Sequence, residues 1–81
     1  MQNTRLNKLL EFLDNDPNDS FILYALATEY NSLNDIEKAF SYYLKLVNEH
    51  PNYVGTYYHL GKLYEKQGEK DKAIDIYQKG M

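Results

Sequence analysis

Displacing the chain by 34 residues against itself brings its most structure-forming side chains into coincidence. Leu23 falls on Tyr57, Leu26 on Leu60, Ala27 on Gly61, Tyr30 on Tyr64, Ala39 on Ala73 and Tyr43 on Tyr77. Pro17 and Asn18 fall on Pro51 and Asn52, and no gap is needed. A fixed period of this size marks a repeat architecture, in which each supersecondary unit buries its apolar face only by stacking on the next. Such a stack presents a surface; it does not by itself assemble a reaction centre.

The apolar spacing between the punctuation points is helical throughout, and no strand alternation occurs. Leu6, Leu9, Leu10 and Leu13 follow the i, i+3, i+4, i+7 pattern, so Thr4 to Leu13 is predicted as a first helix, with Asn3 as its cap. Asp14-Asn15-Asp16-Pro17 breaks it, because the residue before proline is pushed out of the α region. Pro17-Asn18-Asp19-Ser20 offers cap-type side chains for a second helix running to about Leu33. Phe21 to Ala27 is apolar on almost its whole circumference, the pattern of a helix sandwiched between neighbours. Asn34 tolerates the left-handed conformation that ends a helix, and Asp35 can cap the next, Ile36 to Glu49. A fourth helix is expected from about Tyr53 to Gln67, stopped by Gly68 where Asn34 stopped the second. A fifth runs from about Lys70 to the end. Five short helices joined by tight turns make antiparallel neighbours.

Composition narrows the function class. With 81 residues the chain is one small domain, and with no cysteine it has neither a disulfide framework nor a thiolate metal site. A net charge of −3, with its nine Lys and Arg scattered among twelve acids, argues against nucleic acid as a partner, which calls for a clustered basic face. No apolar run is long enough for a membrane helix, and Met1 to Phe12 has no signal-peptide core. The expected location is cytoplasmic, which the absence of cysteine suits without excluding export. Nine tyrosines and no tryptophan suit half-buried surfaces with one wet edge.

These residues resemble the tetratricopeptide repeat, whose pattern is roughly W-x2-L-G-x2-Y, A-x3-F and P. One copy reads Leu23-x2-Leu26-Ala27-x2-Tyr30, Ala39-x3-Tyr43, Pro51; the next reads Tyr57-x2-Leu60-Gly61-x2-Tyr64, Ala73-x3-Tyr77. Thr4 to Pro17 looks like the second helix of a preceding copy, with Leu9 in the aromatic's place and Arg5 where alanine would sit. The implied division is 1–17 as an N-terminal half-repeat or cap, 18–51 as repeat one, and 52–81 as repeat two, incomplete at its C-terminus. The implied fold is all-α, a right-handed superhelical stack of antiparallel helix pairs. Ala27, Gly61, Ala39 and Ala73 let helices approach closely, while Tyr30 and Tyr64 fill the gap inside each unit.

For chemistry the inventory is poor. His50 and His59 have no second ligand at metal spacing, the serines have no nucleophile-elbow context, and the acids cluster at helix boundaries, where capping accounts for them. The chain is therefore expected to be non-catalytic, without cofactor or metal. The resemblance implies a concave groove lined by the first helix of each unit, with a protein or peptide as partner. It would carry Phe21, Tyr24, Thr28 and Asn31 from one copy and Gly55, Tyr58, Lys62 and Glu65 from the other, with His59 at the edge. Tyr24 and Tyr58 are either anchors for a bound segment or a pair stacked on each other to tie the units together. Some family members grip a C-terminal carboxylate with lysine and asparagine; here those places hold Tyr24, Tyr58, Thr28 and Lys62, which speaks against that clamp. Finally, Ile74, Ile76, Tyr77 and Met81 are expected to lie uncovered on the last helix. That suggests a piece of a longer array, self-association through that face, or tolerated exposure.

Overall fold

The turns show the repeat most directly. In the computed structural model, which describes residues 4–80, Asn34 and Gly68 are the residues with left-handed backbone, at φ of 63° and 77°. Around each, the following amide reaches back to the same relative carbonyl. Asp35 N–H donates to Tyr30 (2.9 Å) and Glu69 N–H to Tyr64 (2.9 Å). Asparagine and glycine are the residues that adopt this conformation at least cost, which is why the helices end there. The proline corners match as well: Asp19 N–H donates to Asp16 O (3.3 Å) and Tyr53 N–H to His50 O (3.0 Å). Pro17 and Pro51 each open a two-residue turn at the same place in their unit.

Between these stops lie five helices: α1 (Thr4–Asn15), α2 (Ser20–Ser32), α3 (Ile36–Glu49), α4 (Gly55–Lys66) and α5 (Lys70–Lys79). No strand occurs among the described residues. Asp19 caps α2 by accepting from Ile22 N–H (3.1 Å), and Asp35 caps α3 by accepting from Lys38 N–H. Two boundaries differ from expectation. α1 continues through Asp14 and Asn15, because the proline constraint acts only on the residue immediately before Pro17. α4 starts two residues late, since Tyr53 and Val54 form an extra turn whose carbonyls accept from Thr56 and Tyr57. The expected cap Asn3 lies outside the described residues.

The helices pair as antiparallel hairpins stacked side by side into an α-solenoid, with Cα extents of 35 × 27 × 14 Å. The thin dimension is that of two helix layers, given axes about 8–10 Å apart and a Cα radius of about 2.3 Å. Leu23, Leu26, Ala27, Ala39, Leu46 and Leu60 are fully buried along the seam. The small residues do what their size allows. A Cβ on Gly61 would lie 2.6 Å from Cζ of Tyr77, so α4 and α5 can meet only because none is there. Tyr30 fills its unit as expected, stacked on Tyr42 of α3 with ring centroids 5.7 Å apart. Tyr64 lies against Phe40 of α3 (5.0 Å), so it also ties one unit to the other. Arg5, out of place as a repeat alanine, joins α1 to α2 through an ion pair with Glu29 (3.0 Å).

Candidate functional site

The inner helices of the two units, α2 and α4, meet at His59. The Tyr24 hydroxyl lies 2.6 Å from His59 Nε2, a hydrogen bond between residues 35 apart in the chain. Burial pushes the His59 pKa below its ordinary value, which favours the neutral ring; in the tautomer with its proton on Nδ1, Nε2 accepts from the phenol. Burial, with Tyr53 close by, likewise raises the Tyr24 pKa, keeping the donor protonated. The imidazole stacks on Tyr43 of α3 (6.1 Å, interplanar angle 2°) and takes the edges of Tyr24 (5.3 Å) and Tyr58 (5.5 Å). Tyr24 also packs on Tyr53 (5.3 Å). Tyr24 also runs beside Gly55: a Cβ there would stand 3.8 Å from the Tyr24 ring, in ordinary van der Waals contact.

Several residues expected in the groove therefore come together: Tyr24, Gly55, Tyr58 and His59. His59, expected at the rim, is the hub. Tyr24 and Tyr58 do not stack on each other as the second reading of that pair supposed; each contacts the imidazole between them. Tyr58 remains 57% exposed, with the Lys62 ammonium over its ring at 5.7 Å. Lys62 in turn reaches Glu65 (3.8 Å). Glu65 looks toward α5, where the Tyr77 hydroxyl donates to its carboxylate (3.2 Å). The Thr28 hydroxyl turns back on its own helix, donating to the carbonyls of Tyr24 (3.2 Å) and Ala25 (3.0 Å). Asn31 is half-buried further along α2. Phe21 is exposed but lines a cavity against α1, away from the histidine.

Two contributors escaped the sequence reading. Tyr53 lies outside the helical repeat pattern and has Asp19 as its 34-residue counterpart, so periodicity gave no signal. Tyr43 carried a packing role only, yet its ring forms the floor beneath His59. The other histidine acts structurally: His50 Nε2 donates to the Asn18 carbonyl (2.6 Å), joining the two proline corners.

At the far end of the stack one expectation needs correction. Ile76 is buried, because its position on α5 turns it toward α4 and the core. Ile74 is 55% exposed and Tyr77 half-buried, while Met81 lies outside the described residues. Among the described residues no group of acids and histidines is placed to hold a metal ion, and no helix is long and apolar enough to cross a membrane.

Comparison with known proteins fits this architecture. The model of the family described as anaphase-promoting complex, cyclosome, subunit 3 matches residues 4–80. No curated protein matches the chain. Among solved structures, MamA superposes with a TM-score of 0.88 over 93% of this chain, at 24% identity, a likeness of fold alone. This chain spans 44% of the MamA chain. A tetratricopeptide repeat domain protein from Salinibacter ruber is similar in solution (TM-score 0.76, 49% identity, 80% of this chain and 66% of that one). Its crystal structure agrees (TM-score 0.74, 48% identity, 76% and 69%). Repeat domains of this type generally serve as protein–protein interaction scaffolds and are typically non-catalytic. With a matching family model over nearly its whole length and a solved repeat domain at almost half identity, the chain belongs to the anaphase-promoting complex, cyclosome, subunit 3 family of tetratricopeptide repeats.

Proposed function

We propose that this protein is a non-catalytic interaction module that binds a peptide or helix on the face shared by α2 and α4. The observation that carries the reading is the Tyr24–His59 hydrogen bond, which fixes the two inner helices and leaves Tyr58 exposed beside them. A bound segment gains most from an aromatic surface already held in one arrangement, because less side-chain freedom is lost on binding. Lys62 and Glu65 supply charged contacts of both signs next to Tyr58. The test is chemical-shift mapping with peptides selected for binding. Shifts centred on Tyr24, Tyr58 and Lys62, with binding lost in Tyr58→Ala, support the groove; unchanged binding by Tyr58→Ala rejects it.

A second reading, self-association through the α4–α5 end face, is favoured by one feature. Two cavities open there, one lined by Val54, Tyr57, Tyr58, Tyr77 and Gly80, the other by Glu65, Lys70, Ala73, Ile74 and Tyr77. Exposed Ile74 sits between polar neighbours on this face. Gel filtration with light scattering decides it: a monomer at high concentration removes this reading.

A further inference from the structure

A further cavity lies at the opposite end, between α1 and α2. It is a groove of about 500 Å³, lined by Leu9, Phe12, Phe21 and Ala25 with Arg5 and Lys8 at its rim. Phe12 and Phe21 are 56% and 64% exposed. What fits such a groove is visible elsewhere in the same molecule. Thirty-four residues later, Leu9, Phe21 and Ala25 correspond to Tyr43, Gly55 and His59, which line the junction of α3 and α4. That junction is filled by α2, which lays the Tyr24 ring beside Gly55 and His59 and the Tyr30 ring on Tyr42. By the same 34-residue correspondence, a helix in that relation to the α1–α2 groove would direct one side chain at α2 and another, six residues on, at α1.

Two replacements decide which helix. Ala25 stands where His59 accepts the Tyr24 hydroxyl, so a phenol entering here would bury its oxygen without an acceptor. An apolar ring or branched aliphatic chain fits instead. Lys8 stands where Tyr42 receives Tyr30, so the side chain directed at α1 meets an ammonium group. Lys8 has no ion-pair partner among the described residues, whereas Arg5 is held by Glu29. A carboxylate at that place completes the pair.

We infer that the α1–α2 groove docks an amphipathic helix of a partner protein that inserts an apolar side chain between Phe21 and Ala25 and sets a carboxylate against Lys8. This surface is separate from the α2–α4 face, and the inference stands without that reading. The probe is a synthetic peptide of residues 18–34 of this chain carrying Tyr24→Phe and Tyr30→Glu, titrated into the labelled protein. Expected are chemical-shift changes at Leu9, Phe12, Phe21 and Ala25, and tighter binding than the unmodified peptide. Phe21→Glu, at an exposed position in the first turn of α2, should weaken binding by about tenfold. Lys8→Glu should weaken it severalfold and favour a peptide with Tyr30→Lys instead. Shifts confined to Tyr58, Ile74 and Tyr77, no shifts at millimolar peptide, or an affinity indifferent to Phe21→Glu would each overturn the inference.

Discussion

The contact joining the two units can be isolated by a double-mutant cycle on Tyr24 and His59. Tyr24→Phe keeps the ring, and with it the contacts to Tyr53 and His59, and removes only the hydroxyl that lies 2.6 Å from Nε2. The expected loss is about 1 kcal/mol, the net contribution of an internal hydrogen bond, since half-buried Nε2 is left without its donor. His59→Leu removes the same bond together with the ring contacts to Tyr24, Tyr43 and Tyr58, and is expected to cost about 2 kcal/mol. If the bond is what couples the two positions, the double variant falls short of the sum of the single variants by about 1 kcal/mol. Urea unfolding followed by far-UV circular dichroism, at about pH 7.5 where an ordinary histidine is neutral, measures all four proteins. For a domain this small, each kcal/mol also moves the melting temperature by about 4–8 °C, which gives an independent reading. A coupling below about 0.3 kcal/mol, within the scatter of unconnected sites, refutes the claim that this bond ties α2 to α4.

Three further outcomes follow from the same contacts. Burial lowers the His59 pKa, so on acidification the unfolded chain takes up its proton first. Stability is then full above about pH 6.5, the unfolded value, and declines as pH falls through it toward the lower folded value. Unfolding curves across this range should show that decline in the parent and lose it in His59→Leu; an identical slope in both would assign it to other groups. Tyr43→Phe and Tyr57→Phe should differ in sign. The Tyr43 hydroxyl is buried with no hydrogen-bond partner among the described residues, so its removal raises or preserves the melting temperature. The Tyr57 hydroxyl donates to the Pro51 carbonyl (2.7 Å), so its removal costs about 1 kcal/mol. Equal losses in both melts would contradict the assignment. Ala39→Leu should cost about 1–3 kcal/mol, because Ala39 is completely buried between α2 and α3; an unchanged melt would mean the helices are not in close contact there.

The hairpins were legible in the sequence because their stops are local. Asn34 and Gly68 act through their own backbone preference and Asp19 and Asp35 through bonds three residues on, so no knowledge of distant neighbours is needed. The spacing of small and large residues gave the stacking for a similar reason, since each position is specified twice. The site was less legible. Tyr53 joins the cluster only because the chain after Pro51 takes an additional turn before α4, which no helical pattern encodes. Ile76 and Ile74 both read as apolar positions of α5, yet the rotation of that helix on α4 buries one and exposes the other. His59 read as an edge residue because its role depends on a phenol 35 residues away.

The two units share a packing pattern and diverge where that pattern is silent, and the divergence separates the α3–α4 junction from the α1–α2 groove. At the junction, Gly55 leaves space for a ring and His59 supplies an acceptor for its hydroxyl, so a tyrosine is satisfied there. At the α1–α2 groove the corresponding Phe21 lines the cavity, and Ala25 offers no polar atom beyond the backbone. A helix whose tyrosine is satisfied at the junction is mismatched to the groove by an unsatisfied phenol, a cost large enough to discriminate. The end groove is thus more than a junction lacking its helix. Its side chains select a different one, and the repeat that builds both sites supplies the ruler by which the difference is read.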